Sequence, residues 1–153
     1  MYFVKVVIMV NSSVRFGYAD RSVLLKSKRA VQAFVGQLVY RETGKACKLQ
    51  YVFCSDDYLY QMNLSFLNHD DLTDIITFDL SSGPLIIEGE IYISVDRVGD
   101  NAKMLGTPFR EELLRVIFHG ALHLCGYKDK SNADKRVMRR KEDEYLELFM
   151  ESR

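Results

Sequence analysis

Residues Val116 to Lys130 read VIFHGALHLCGYKDK, and the rest of the chain becomes legible outward from them. His119 and His123 stand four residues apart inside an apolar run, a spacing that on an α-helix stacks two imidazoles on one face, a single turn apart. Gly126 follows three residues later, where a helix that must stop and fold back favours a residue free to take positive φ. Asp129 lies six residues past His123, close enough for the returning chain to bring a carboxylate opposite the two rings. The stretch predicts a three-donor metal site, one ion per chain. For Asp129 the alternative is an exposed loop acid paired with Lys128 or Lys130.

The intervals match the metzincin protease signature, His-Glu-x-x-His-x-x-Gly-x-x-His, with two letters changed. Gly120 stands where that signature has its catalytic glutamate, and Asp129 where it has a third histidine. The first change removes a peptidase's general base, which disfavours a metallopeptidase; the second keeps a ligand type that zinc accepts. Two neutral imidazoles and one carboxylate leave a divalent ion with a smaller net charge than three histidines do. The ion is then a weaker Lewis acid, and harder ions such as Mn²⁺ compete better for the site. Cys125 sits about 200° around the helix from His123 and reads as a small buried hydrophobe, not a thiolate ligand.

Working outward, Thr107 as cap and Pro108 at the first helical position open the metal helix, which packs through Leu113, Leu114, Ile117 and Leu124. Ser131 with Asp134 resembles a capping box and starts a last helix through about Met150. Upstream, Phe3–Val10 and Ala46–Cys54 read as strands, as do Thr73–Asp79 and Gly89–Val95. Asn11–Asp20 is polar and reads as a loop. Leu24, Val31, Phe34, Val35 and Leu38 form a helical stripe over Ser22–Thr43, closed by Gly44. Further helices are predicted from Ser55 to about Asn68 and over Asp96–Leu105. The fold class is α+β, a small mixed four-stranded sheet packed with helices, the metal-binding helix late in the chain.

A chain of 153 residues with 48% hydrophobic content is read as one domain, residues 1–153. Acidic and basic residues balance at 21 each, so bulk charge does not announce a nucleic-acid binder. Local charge is less even. Lys128, Lys130, Lys135, Arg136, Arg139, Arg140 and Lys141 crowd the stretch past the metal site, either as a binding surface or as a helix face paired with Asp134, Glu142, Asp143 and Glu144. Cys47, Cys54 and Cys125 are an odd count without a Cys-x-x-Cys pair, which points to a reducing compartment, the cytoplasm. MYFVKVVIMV is too short for a span and lacks the flanks of a signal peptide, so a buried strand and no membrane role are expected.

At this point the motifs carry a family resemblance. HGALHLCGYKD resembles the HGxLHLxGYDH signature of the YbeY family of endoribonucleases and rRNA maturation factors. MNLSFLNHDDLTDIITFD is similar to that family's LN followed, after a loop, by T-[DN]-V-L-[ST]-F, and GEIYIS to its G-[DE]-I-x-I-S. The resemblance implies a zinc-bearing hydrolase that cleaves single-stranded RNA in maturation of the small-subunit rRNA 3′ end and in ribosome quality control. Its partners would be rRNA and the ribosome or small-subunit assembly proteins. Position by position, His119 and His123 match the first two metal histidines, the third falls on Asp129, and a family arginine falls on Leu67.

Phosphodiester hydrolysis needs a nucleophile, charge stabilisation and a proton for the leaving oxygen. With Gly120 offering no acid, His69 in the loop before TDIITFD is the remote candidate for proton transfer; otherwise it is a solvent-exposed loop histidine. With Leu67 in place of the arginine, phosphate binding falls to Lys128, Lys130, Arg110 or Arg115. Thr73 and Asp74 either line the cleft or are strand-edge polar residues. The rival to a nuclease is a non-catalytic ribosome-assembly factor whose metal is structural.

Overall fold

The computed structural model describes residues 12–67 and 73–152, so the strand expected over Phe3–Val10 and the proton-transfer candidate His69 lie outside the described residues. Among the described residues the chain runs β1 (Ser13–Tyr18), α1 (Lys28–Thr43), β2 (Ala46–Cys54) and α2 (Asp56–Met62), which continues into a π-helical turn (Asn63–Leu67). It goes on through β3 (Ile75–Asp79), β4 (Ile86–Ser94), α3 (Val95–Leu105), α4 (Phe109–Leu124) and α5 (Asn132–Glu151). The strands form one mixed sheet in the order β1-β2-β4-β3, with β1, β2 and β4 parallel and β3 antiparallel to β4. This is the α+β arrangement the element order implies.

Several elements differ from the sequence reading, the smallest differences being β3, which starts at Ile75 and not Thr73, and α3, which starts at Val95 and not Asp96. The segment taken as a loop over residues 11–20 holds β1, because Val14 and Phe16 alternate with Ser13 and Arg15 at the period of a strand and pack on the core. Phe16 meets Tyr51 and Phe53 of β2 edge-on, with ring centroids 5.3 and 5.6 Å apart. Helix α1 starts at Lys28, not Ser22: Ser27 takes a left-handed φ of 59°, and Leu24, counted in the stripe, is 88% exposed. Strand β4 begins at Ile86, before Gly89, and that glycine sits inside the strand because Leu124 of α4 lies over it. A Cβ on Gly89 would stand 2.6 Å from Leu124 Cδ1. Finally, Pro108 occupies the cap of α4 and Phe109 opens the helix, while the buried Thr107 hydroxyl has no partner among the described residues.

What fixes the position of α4 is its contact with the middle of the sheet. Leu113, Leu114, Ile117 and Leu124 are buried as the stripe predicts. Tyr51, aligned with Ile91 in the neighbouring strand, sends its hydroxyl through the core to donate to the Ile117 carbonyl at 2.7 Å. On the other side Phe118 packs with Phe34 of α1 and Phe149 of α5, centroids 5.1 and 6.0 Å away. Removing one such buried side chain costs about 2–5 kcal/mol, so α4 is firmly packed where it carries the two histidines.

Candidate metal centre

Helix α4 ends where the sequence places its stop. Gly126 takes φ 107°, its N–H donates to the His123 carbonyl at 3.0 Å, and the Tyr127 N–H reaches back to the Leu122 carbonyl at 3.1 Å. This Schellman-like closure satisfies the last carbonyls and folds the chain back along the helix. The His119 and His123 rings lie 5.5 Å apart with planes at 85°. Asp129 then comes between them, Oδ2 3.2 Å from His119 Nε2 and Oδ1 3.4 Å from His123 Nε2. Donors on a tetrahedral zinc are separated by about 3.4 Å, the edge set by bonds of about 2.1 Å. All three donor atoms lie within 4.8 Å of one another, so the group can hold a metal ion.

A fourth residue orients the first histidine. Glu142 of α5, with a side chain 7% exposed, accepts from His119 Nδ1 at 2.6 Å. With a proton on Nδ1, Nε2, the nitrogen that faces Asp129, is the one a metal would take in exchange for any proton there, the carboxylate–histidine arrangement common behind metal ligands. Glu142 is held in turn by Arg115 at 3.1 Å and, at 3.6 Å, by Arg139. Burial works against a charged His119, but the Glu142 hydrogen bond and the negative charges of Glu142, Asp129 and Asp74 outweigh it, so the imidazole pKa lies above its ordinary value. Asp74, just before β3, is pushed up by burial, and so is Glu112 on α4.

The other positions named from sequence sort cleanly. Gly120 faces the sheet, where a Cβ would stand 2.8 Å from Ile91 Cγ2 and 3.0 Å from Ile75 Cδ1, so no glutamate fits there. Arg115 is 13% exposed and committed to Glu142 and Asp143, and is not free to clamp a phosphate. Arg110 lies over the Phe149 ring at 5.9 Å, nine residues and about 14 Å of helix from His119, and cannot reach the site. Lys128 and Lys130 are exposed on either side of Asp129. Cys125 sits at the helix cap, half-buried against the core and not fully buried as the sequence suggests, its thiol pushed up to about 12 by desolvation, and it is not one of the grouped donors. Asp74 belongs to the site's surroundings: its charge acts on His119, and its carbonyl accepts from the Ser94 N–H at 2.9 Å.

Sequence reasoning missed Glu142 as a site residue and named Arg139 only within the basic stretch, although a signal for Glu142 was present. Met138, Glu142, Tyr145 and Phe149 recur at helical spacing and all are buried, so Glu142 is an acid on an apolar stripe. Such a residue needs a partner, and His119 with Arg115 supplies it.

Comparison with known proteins agrees with this geometry. The family model described as Endoribonuclease YbeY matches residues 19–150. A Flavobacterium psychrophilum protein named endoribonuclease YbeY is 52% identical over 116 residues, 76% of this chain and 82% of its own. A Flavobacterium johnsoniae protein of the same name is 45% identical over 136 residues, 89% of this chain and 96% of its own. A solution structure from Thermotoga maritima superposes with a TM-score of 0.63 at 26% identity, covering 92% of this chain and 91% of that one. With the family model spanning most of the chain and relatives this close, the chain belongs to the endoribonuclease YbeY family.

Proposed function

We propose that this protein is a one-domain metal-dependent hydrolase that cuts single-stranded RNA, acting in maturation of small-subunit rRNA, with zinc at His119, His123 and Asp129. The observation that carries the reading is the pair of imidazole Nε2 atoms sharing one carboxylate at 3.2 and 3.4 Å, in a chain whose relatives are named endoribonucleases. A divalent ion held there supplies Lewis-acid charge for a phosphoryl oxygen and lowers the pKa of a water. Glu142 keeps the proton on His119 Nδ1, so Nε2 stays a lone-pair donor. Asp74, raised by burial and close enough for its charge to act on His119, is the acid suited to take or return a proton. Lys128, Lys130 and Arg139 supply the cations; Arg139 is 54% exposed and only weakly paired, at 3.6 Å, so its guanidinium is available to a phosphate. Arg139 and the two lysines take the place of the arginine that falls on Leu67. The three free cysteines support a reducing cytoplasm as the working compartment, and no helix among the described residues is long and apolar enough to cross a membrane.

The test is to quantify metal in the purified protein and assay cleavage of single-stranded and structured RNA by wild type, His123→Ala and Asp129→Ala. Metal-dependent cleavage of the single strand, lost in His123→Ala and reduced in Asp129→Ala, is expected. RNA left intact by fully metal-loaded wild type refutes the nuclease, and Asp129→Ala with undiminished metal and activity refutes the third ligand.

A further inference from the structure

Beside the loop that delivers Asp129, three donors converge on one carboxylate. Tyr127 Oη donates to Glu42 Oε1 at 2.6 Å, Lys141 Nζ donates to Oε2 at 3.2 Å, and the Tyr145 hydroxyl donates to the same Oε2. Glu42 comes from the last turn of α1, and its side chain is 10% exposed. The Lys141 ammonium also stands over the Tyr127 ring, 5.8 Å from its centroid. Tyr127 lies two residues before Asp129. Apart from Asp129 itself, its hydroxyl makes the one side-chain hydrogen bond that ties residues 126–130 to another element among the described residues. The donors to Glu42 and the residue that holds His119 are neighbours: Lys141, Glu142 and Tyr145 share one stretch of α5, Lys141 and Tyr145 turned to Glu42 and Glu142 turned to His119.

We propose that Glu42, acting through the Tyr127 hydroxyl, is a positioning residue that sets Asp129 against His119 and His123. The inference rests on reading those three residues as metal ligands. A carboxylate on an untethered loop must be ordered each time a metal binds, and a tether made beforehand removes that cost. Partners of this outer kind change metal affinity about 10–100-fold when lost. The same stretch of α5 thereby registers both halves of the site, the helix histidine directly and the loop aspartate at one remove.

Three variants test this: Tyr127→Phe, which removes only the hydroxyl; Glu42→Gln, which keeps the volume and removes the charge; and Val35→Ala, a buried residue two turns earlier on the same helix that takes no part in these hydrogen bonds. Two readouts are used: Co²⁺ affinity, from titration of its visible absorption, and the rate of tryptic cleavage after Lys128 and Lys130 in metal-free protein. Tyr127→Phe and Glu42→Gln are expected to weaken Co²⁺ binding by about tenfold and to speed cleavage. Val35→Ala is expected to lower the unfolding midpoint while leaving both readouts at wild-type values. Wild-type Co²⁺ affinity in Tyr127→Phe, or an equal loss in Val35→Ala, overturns the proposal. If the wild type binds no Co²⁺ the ligand reading itself fails, and the cleavage rate still decides the tether: no acceleration in Tyr127→Phe overturns it.

Discussion

Replacing Glu142 by Gln tests whether an acid that touches no substrate governs the site through His119. The amide keeps the volume and can still accept from Nδ1, but the hydrogen bond is no longer charge-assisted, which roughly halves its strength. Arg115 loses one of its two carboxylates and keeps Asp143 at 2.8 Å. Zinc affinity is expected to fall about 10–100-fold, which is about 1.4–2.7 kcal/mol. Glu142→Ala goes further, because it leaves a buried Nδ1–H and half of a buried ion pair unpaired; breaking such a pair costs about 3–5 kcal/mol, with Asp143 holding the loss near the lower end. The assay is competition with a chelator of known affinity, alongside urea unfolding of metal-free protein. Its pH dependence adds a sign. The Glu142 charge helps raise the His119 pKa, so in wild type protons compete with metal further up the pH scale, and removing the charge relieves part of that competition at low pH. The affinity loss in Glu142→Gln is therefore larger at pH 8 than at pH 6. An affinity equal to wild type at pH 8 would refute the orienting role, and a larger loss at pH 6 would refute the electrostatic account of His119.

Other expected outcomes follow from single contacts. Gly120→Ala should lower stability by about 1–3 kcal/mol in urea unfolding, because Ile91 Cγ2 leaves no room for the added Cβ at 2.8 Å, and Gly120→Glu should not yield a peptidase. Burial would raise the Glu42 pKa, but Tyr127, Tyr145 and Lys141 donate to the carboxylate and hold it below the ordinary 4.5. Its contribution to stability is therefore fully present above that value and lost as pH falls through the depressed one, so unfolding midpoints of wild type and Glu42→Gln should converge in acid. Leu24→Ser should change stability by less than about 0.5 kcal/mol, whereas Leu38→Ala should cost about 2–5 kcal/mol, which checks that the buried stripe starts after Ser27. Arg139→Ala should weaken RNA binding across sequences and lower the salt slope by about 1, measured by filter binding in a salt series.

The helix with the two histidines and its candidate metal group were legible because everything that defines them is local. Histidine spacing, the glycine stop and the returning aspartate lie within eleven residues, and the backbone supplies their geometry once the helix forms. Strand β1 was less legible because its polar outward residues, Ser13, Arg15 and Gly17, look like loop composition until β2 supplies a partner. Leu24 misled for the opposite reason: an apolar residue in phase with a stripe says nothing about whether Ser27 will break the helix before it. Glu142 was counted among charges on a solvated face, and only the packing of α5 against α4 turns that position inward. The role offered to Arg110 failed on its nine-residue distance along the helix, which the sequence already carries, and that offered to Arg115 on its pairing with Glu142, which composition does not encode.

The electrostatics of the pocket tie metal and RNA together. The charges of Asp74, Asp129 and Glu142 act on His119, and Glu112 adds its own beside Asp74 and Glu142, against the two guanidinium groups of Arg115 and Arg139. A phosphodiester brought to such a pocket meets repulsion, and the raised His119 pKa expresses the same excess of negative charge, met by a proton. A divalent ion meets it better and must displace that proton to bind. Two consequences are measurable with one protein. Below the His119 pKa, calorimetry in buffers of different ionisation heat should show about one proton released per ion bound, falling toward none as pH rises. RNA affinity should be low in the presence of a chelator and rise on adding metal even in an Asp74→Asn variant, where the proton-handling acid is gone and the two cations flanking Asp129 remain. RNA that binds equally well with and without metal would mean that the phosphate path avoids the acidic pocket, and would separate the metal centre from substrate recognition.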